Sequence, residues 1–221
     1  MQVKNEKYKA FLQGGIMETI SRPQFEELLS RVKHRNLAQA RALVIIIWMS
    51  GKRPNEILNI TAGDISKVAK NLSIRIKGSK GGYAGIIQLP MSDVLVNEVW
   101  LYSKDKFPDQ FLFWAFRSKS KKSSAIRRFR KKQADGTYSL IEKRYEKAYP
   151  NLANNLFYWF KKWFELPPYY FRHNRFTRLS EEGASIEEIR QAKGAKGYDS
   201  VMQYMHVSTR SAKKTAKLLI K

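Results

Sequence analysis

Two arginines and a lysine stand in short segments whose chemistry suits a phosphate group. Arg53 lies in SGKRPNEILNI (50–60), Lys77 in IKGSK (76–80) and Arg172 in PYYFRH (168–173). A guanidinium group stays charged at any relevant pH and can fork onto two phosphate oxygens. A lysine is a poorer clamp but is better suited to proton transfer. Each segment alone would occur by chance in many proteins, so the evidence is their order along the chain.

These segments resemble, in order, the signature boxes of the tyrosine recombinase catalytic domain. Arg53 and Glu56 match a Gly-x-Arg-x-x-Glu box, and IKGSK matches the lysine-bearing turn of a β-hairpin. PYYFRH is similar to the His-x-x-Arg-His box, with Arg172 at the arginine position. QYMHV (203–207) is similar to the Tyr-x-His-Val segment, and its Tyr204 follows Arg172 at a separation ordinary for the family.

The resemblance implies a role for each matched residue. Arg53 and Arg172 would clamp the phosphate of a DNA strand, a contribution of about 3 to 4 kcal/mol. Tyr204 would be the nucleophile that forms a 3'-phosphotyrosine, and Lys77, with Lys80 as the alternative, would protonate the leaving 5' oxygen. Because the phosphotyrosine conserves the bond energy, rejoining needs neither ATP nor a metal ion. The reaction implied is cleavage and rejoining of duplex DNA.

Two positions depart from the family's pattern. Tyr169 replaces the first histidine of its box, so it would either touch phosphate or pack its ring. The Leu-Gly-His segment before the nucleophile is replaced by KGAKG (193–197), where strict spacing puts Ala195 at the histidine position. A shift of one residue puts Lys196 there instead. We favour Lys196 as a catalytic residue, since lysine can donate a hydrogen bond to a phosphate oxygen and alanine cannot.

The charge of the chain indicates a polyanionic partner. Forty-two Lys and Arg against 19 Asp and Glu give a net charge of +23, and this excess must lie on the surface. Double-stranded DNA is the expected partner, ahead of an anionic membrane, for which no segment is clearly amphipathic. Self-association on DNA, as a dimer or tetramer, is also expected. The expected DNA-binding residues are Lys80, Arg127, Arg128, Arg130, His173 and Arg175, although His173 has an equally plausible structural role.

Composition excludes several other kinds of chemistry. The chain has no cysteine and three histidines, so thiol nucleophiles and cysteine zinc sites are excluded and we expect no metal and no cofactor. The longest strongly apolar run, 42–49, is too short to cross a bilayer, which predicts a soluble, intracellular protein. The lack of cysteine and the abundance of charge also suit a viral or plasmid integrase from a thermophilic source.

The elements that must position these residues are mostly helices. The patterns predict a mixed α/β fold, predominantly α-helical with a small antiparallel β-sheet, and the resemblance makes it the tyrosine recombinase catalytic-domain fold. Helices are expected from a Ser21 cap to about 32, over 37–50 ending at Gly51, from Pro54 to 60, from Asp93 onward, and over 151–164, 169–182, 185–192 and 200–206. Strands at 72–76 and 83–89 should form a hairpin.

One domain is expected, over residues 21–207, between a polar lead-in (1–20) and a short tail helix (208–221) that docks on another protomer. A basic insertion spans 117–150, and its first part, 117–132, holds nine basic residues and no acidic one, which favours an exposed arm that contacts DNA. Two further functions stay open. The departures from the family's pattern allow a noncatalytic DNA-binding protein of the same fold, and an enzyme that relaxes DNA like a type IB topoisomerase is the other alternative.

Overall fold

The structure confirms a mostly helical fold with a small antiparallel sheet. It is a computed structural model that describes residues 19–77, 85–116, 126–132, 138–144 and 154–205, with the backbone alone over 126–132, 138–144 and at 154. The helices are α1 (Arg22–Ser30), α2 (Leu37–Ser50), α3 (Pro54–Ile57), α4 (Val94–Ser103), α5 (Asn154–Phe164), α6 (Pro168–Glu181), α7 (Ile186–Lys193) and α8 (Asp199–Met202). The strands are β1 (Ile65–Val68), β2 (Asn71–Ile76), β3 (Gly85–Pro90), β4 (Ile126–Lys132) and β5 (Tyr138–Arg144).

Helix α1 begins at the predicted cap. The Ser21 side chain accepts from the backbone N–H of Gln24, and the Gln24 side chain accepts from the Ser21 N–H at 2.8 Å. This reciprocal pair satisfies two N–H groups that a helix start leaves open. Arg22 then donates to both oxygens of Asp93, at 2.7 and 2.9 Å, and Asp93 caps α4 by accepting from Leu95 N–H. The starts of α1 and α4 are therefore joined.

Helix α2 is the centre of the core, as its apolar sequence predicts. Its residues are buried on nearly every side, and its main neighbours are α4 and α6. Phe25 of α1 stacks on Trp48 of α2, with ring centroids 4.1 Å apart, and meets Phe171 of α6 edge-on. Gly51 ends α2 with a φ of 59°, a left-handed conformation that favours glycine. The end of α2 is thus fixed in direction.

The small sheet has three antiparallel strands in the order β1, β2, β3. Ile74 of β2 pairs with Ile65 of β1 on one side and Ile87 of β3 on the other. The predicted hairpin is therefore confirmed at β2, and its second strand begins at Gly85. The sequence did not predict β1, because three of its four residues are exposed and show no apolar alternation.

The basic insertion contains regular structure that the sequence did not predict. Strands β4 and β5 pair antiparallel, with Phe129 opposite Ile141. These strands do not test the expectation of an exposed arm that contacts DNA over 117–132, which stays a prediction because the side chains of 126–132 lie outside the described residues. The parts at 117–125, 133–137 and 145–153, the lead-in 1–18 and the tail 208–221 lie outside the described residues. Among the described helices, none is long and apolar enough to span a membrane.

The C-terminal helices form a second apolar cluster. Ser185 caps α7 by accepting from Glu188 N–H, and Gly194 ends α7 in a left-handed conformation with a φ of 66°. Helix α8 ends at Met202, earlier than the predicted 206, so the segment that carries Tyr204 follows the helix. The cluster consists of Phe176, Ile189, Val201 and Tyr204.

The conformation of Gly51 gives a test of how the fold positions its helices. A Cβ added there would lie 3.1 Å from both Arg175 Cγ and Phe176 Cζ, in a backbone conformation that alanine disfavours. We expect Gly51→Ala to lower the free energy of unfolding by about 2 to 3 kcal/mol in urea denaturation. Gly197→Ala is the matched control, because nothing lies within 4 Å of its added Cβ. Equal stability of the two variants would contradict the account.

Candidate active site

Arg172 of α6 lies where three helices meet. It is 4% exposed, and its guanidinium donates to the carbonyl oxygen of Gly51, at the end of α2, and to that of Lys193, at the end of α7, at 3.4 Å. Carbonyl groups at a helix C-terminus carry partial negative charge and favour a cation. The guanidinium therefore joins the ends of α2 and α7 and is held in one orientation by both.

Arg53 is fixed by Glu56 at the start of α3. Glu56 accepts from the backbone N–H of Arg53 at 2.9 Å and from its guanidinium Nη1 at 3.0 Å. Pro54 suits the first helical position, where no backbone N–H is needed. Glu56 is buried while a third of the Arg53 side chain stays exposed, so the guanidinium is anchored from below and open to solvent.

Two buried lysines that the sequence did not single out join the arginines. Lys52 is buried, and burial lowers its pKa, with Arg172 and Arg53 acting in the same direction. Lys193 is 6% exposed, and burial, Arg172 and Arg53 lower its pKa to about 8. Lys193 lies four residues after the buried Ile189, on the inward face of α7, so helical spacing could have indicated it. No spacing pattern in the sequence indicated that Lys52 is buried.

The site collects far more positive than negative charge. Burial and, after it, the nearby charge of Arg53 lower the pKa of Arg172 to about 10. Among the described residues, Glu56 is the carboxylate whose charge acts on both Arg172 and Lys52. Burying like charges together is costly unless an opposite charge offsets them. The arrangement therefore favours a bound anion.

Tyr204 is packed against this cationic site. It is 4% exposed, its hydroxyl lies 2.8 Å from His173 Nδ1, and the Lys193 ammonium lies 4.8 Å from its ring centroid. Burial raises the pKa of Tyr204 to about 12, although Arg172 opposes this. Burial, then Arg172 and Lys193, lower the pKa of His173 to about 4. At neutral pH the phenol is thus protonated and the neutral imidazole can accept its hydrogen bond.

Tyr169 and the hairpin flank the site. Tyr169 is 40% exposed, and its ring lies 5.7 Å from that of Phe157. Lys77 is exposed directly after β2. The Lys52 ammonium would lie 3.9 Å from a Cβ on Gly85, which begins β3 and pairs with Ile76 at the end of β2, so the end of the hairpin where Lys77 follows β2 adjoins the cationic cluster. Lys80 lies outside the described residues.

The remaining candidate residues lie elsewhere. Arg175 is partly buried beside Gly51, and burial lowers its pKa while Glu182 opposes this. Lys196 is exposed, and its carbonyl oxygen accepts from Arg190 at 3.5 Å. Arg127, Arg128 and Arg130 lie on the backbone of β4, and their side chains are outside the described part of the chain. No group of residues suited to hold a metal ion occurs among the described residues.

Comparison with known proteins decides the family. The sequence matches the phage integrase family over residues 18–211. The chain belongs to that family. No curated protein sequence matches it significantly.

Solved structures of recombinases share the fold of this chain. XerH site-specific recombinase bound to its difH substrate is similar with a TM-score of 0.55 and 17% identity, over 93% of this chain and 56% of that one. XerA recombinase is similar with a TM-score of 0.55 and 16% identity, over 91% of this chain and 62% of that one. The Tn1549 transposon integrase in complex with circular intermediate DNA is similar with a TM-score of 0.54 and 15% identity, over 91% of this chain and 67% of that one. At such identities the likeness shows the tyrosine recombinase fold, and the chain spans less than two thirds of the Xer chains.

The uneven charge of the site predicts that its stability depends on Glu56 and on anions. Removing that carboxylate charge leaves buried cations uncompensated, so we expect Glu56→Gln to lower the free energy of unfolding by about 3 kcal/mol. Sulfate should recover more of the loss than chloride at equal ionic strength, because it can occupy the site. The measurement is urea denaturation in each salt.

Glu98→Gln is the matched control for that experiment. Glu98 of α4 forms an ion pair with Arg41 of α2 at 2.5 Å, and about a third of the Glu98 side chain is exposed. Its loss should cost about 1 kcal/mol or less, with no preference for sulfate beyond that of the wild type. An equal response of both variants would show that the cationic site does not bind anions.

Proposed function

We propose that this chain is the catalytic part of a DNA recombinase or integrase that cleaves and rejoins duplex DNA through a 3'-phosphotyrosine on Tyr204. The observation that carries the proposal is the contact of a buried tyrosine with a buried, mostly uncompensated cationic cluster. Membership of the phage integrase family and the fold shared with XerH and XerA support recombination as the function.

The cationic groups suit the charge that develops on a phosphate during attack. As the phenol oxygen bonds to phosphorus, the pentacoordinate state carries one more negative charge than the phosphodiester. Arg53 is anchored yet partly exposed, and Arg172 is held rigidly by two carbonyl groups. Fixed guanidinium groups need no reorganisation when that charge appears, which is the condition for effective electrostatic catalysis. Lys52 adds a third cation beside them.

His173 is the group that we assign to the proton of Tyr204. Its Nδ1 lies 2.8 Å from the phenol oxygen, within the reach needed for proton transfer, and its low pKa keeps it neutral and able to accept. The phenol oxygen then bonds to phosphorus, and the bond to the 5' oxygen breaks. In our proposal Lys77 gives the leaving oxygen its proton, and attack by a free 5' hydroxyl reverses both steps.

Double-stranded DNA is the partner that we propose. The net charge of +23 favours phosphate contacts, and β4 carries Arg127, Arg128 and Arg130 along one strand. The XerH and Tn1549 integrase structures contain DNA, and a related lambda integrase is described as a dimer on a core site. We therefore propose assembly on DNA, with residues 21–207 as the catalytic domain, 117–150 as a basic insertion and 208–221 as a docking tail.

Two observations favour a second function. Burial raises the pKa of Tyr204 to about 12, and Tyr169 replaces the histidine usual in its box. A protein with the recombinase fold that binds DNA without cutting it would tolerate both features. The two functions differ in a single measurable product, the covalent complex of protein and DNA.

Trapping that product tests the proposal. A nicked duplex loses its short 5'-hydroxyl fragment after cleavage, so the covalent complex accumulates and separates on a denaturing gel. We expect the wild type to form it without added metal and Tyr204→Phe to form none, since phenylalanine has no nucleophile. Tyr198→Phe is the matched control, because Tyr198 is exposed and its hydroxyl contacts Glu187. DNA binding without any complex, on a duplex that carries the chain's own site, would favour the noncatalytic function.

The role of His173 predicts both a rate and a pH dependence. His173→Gln should slow single-turnover cleavage about 100-fold, a typical loss for a general base. Because the pKa of His173 is lowered to about 4, the imidazole is neutral above that pH and protonated below it. The wild-type rate should therefore show no loss of this base between about pH 5.5 and 8. His34→Gln is the control, since His34 packs against Phe116 and Trp159. A wild-type rate for His173→Gln would remove this residue from the mechanism.

A further inference from the structure

We propose that Lys193 positions the Tyr204 nucleophile and supplies the cation beside it, the role for which the sequence favoured Lys196. The inference rests on the proposed function, because it concerns the same reaction. It assigns the role by contact with Tyr204 instead of by alignment with the family's histidine.

Lys193 reaches the nucleophile segment with its side chain. Its ammonium lies 4.8 Å from the Tyr204 ring centroid and donates to the carbonyl oxygen of Ser200 in α8. A cation over an aromatic face is attracted by the ring, and the attraction strengthens when water is excluded. One side chain thus holds both the ring and the short helix that precedes it.

The same residue contacts the phosphate clamp with its backbone. The Lys193 carbonyl oxygen accepts from Arg172 Nη2 at 3.4 Å. Lys193 therefore stands between the arginine that would bind the phosphate and the tyrosine that would attack it. A change in its position shifts both groups, and in-line attack is sensitive to displacements of about 1 Å.

The burial of Lys193 is itself informative. Its inward position on α7 follows that of Ile189, and a purely structural role there would be filled at lower cost by an apolar residue. Lys196, by contrast, is exposed three residues further on. The fold thus accepts the cost of desolvating an ammonium next to the tyrosine and leaves the predicted lysine in solvent.

An ammonium at this place stabilises a phenolate more than a phenol. The charged and titratable groups that face Lys193 are Arg53 from the start of α3, Arg172 and His173 from α6, and Tyr204 itself. The cations among them repel Lys193, whereas an ionised Tyr204 would attract it. Because burial and these cations lower its pKa to about 8, the contribution should be present at neutral pH and lost as the pH rises.

Single-turnover cleavage of the nicked duplex tests the inference with three variants. Lys193→Met removes the charge at nearly constant volume, Lys193→Arg keeps it at every pH, and Lys196→Met is the matched surface control. We expect Lys193→Met to cleave saturating amounts of the duplex about tenfold or more slowly at about pH 7, with saturation checked by fluorescence anisotropy. Lys196→Met should cleave at the wild-type rate.

The pH profile separates the proposed role from simple packing. The deficit of Lys193→Met should narrow toward about pH 9.5, where the wild-type lysine loses its own charge, and the rate of Lys193→Arg relative to wild type should rise over the same range. A deficit that stays constant with pH overturns the inference, as does a wild-type rate for Lys193→Met. If Lys193→Met does not fold, as judged by thermal melts, Lys193→Arg decides the question. A rate relative to wild type that rises with pH supports the inference, and one that stays flat overturns it.

Failure of this inference is distinguishable from failure of the proposed function. If the wild type forms the covalent complex and Lys193→Met matches it, the recombinase chemistry stands and the inference falls. If the wild type forms no complex on DNA that it binds, the proposed function falls and takes the inference with it.

Discussion

The placement of the Arg172 guanidinium is the interaction on which the rest of the site depends. It donates to carbonyl groups at the ends of α2 and α7, and Gly51 turns the chain directly after α2. A residue with a side chain at Gly51 would meet Arg175 and Phe176 of the same helix that carries Arg172. Helix α6 can therefore approach α2 closely enough for this contact only because position 51 lacks a Cβ. The geometry of the candidate active site is in this sense a property of the core.

The candidate active site around Arg172 concentrates positive charge, which is unfavourable for stability. The arginines and the buried lysines repel one another. Among the described residues, Glu56 is the carboxylate whose charge acts on Arg172 and Lys52. A protein selected for stability alone would replace such lysines with apolar residues of similar volume. Their retention in the interior is more readily understood as a requirement of function, since sites that act on charged groups are commonly less stable than they could be.

The parts of the fold that the sequence could predict depend on local chemistry. The Ser21 cap, the apolar helix α2 and the glycine that ends it each follow from a few neighbouring residues, and all are confirmed. Strand β1 and the pairing of β4 with β5 were not predicted, because exposed or basic residues hide the alternation that marks a strand. Pairing with a neighbouring strand defines these elements, and the residues of one strand alone carry little trace of it.

The candidate site divides in the same way. Arg53, Arg172 and Tyr204 were selected by motif, and the structure brings them into one region. Glu56 accepts from Arg53, the Gly51 carbonyl oxygen accepts from Arg172, and the charge of Arg172 acts on Tyr204. For the remaining cation, the motif selected Lys196, whereas the contact with Tyr204 is made by Lys193. The choice of Lys196 came from moving the alignment by one residue, which takes no account of where each side chain lies in space. Lys193 is the last residue of α7 and lies on its buried face, four residues after Ile189, whereas Lys196 follows the end of the helix and is exposed.

The two buried lysines also account for how such a site can hold two anions at once. Under the proposed reaction, the phosphodiester and an ionised Tyr204 each bring one negative charge. With Arg53, Arg172 and Glu56 alone, the site would have a single net positive charge and would become negative with both anions present. Lys52 and Lys193 raise the net charge by two, so the site stays positive throughout. Because a phenolate is disfavoured beside an uncompensated phosphate, this surplus would, in the proposed reaction, let attack begin at neutral pH although burial otherwise keeps the phenol protonated.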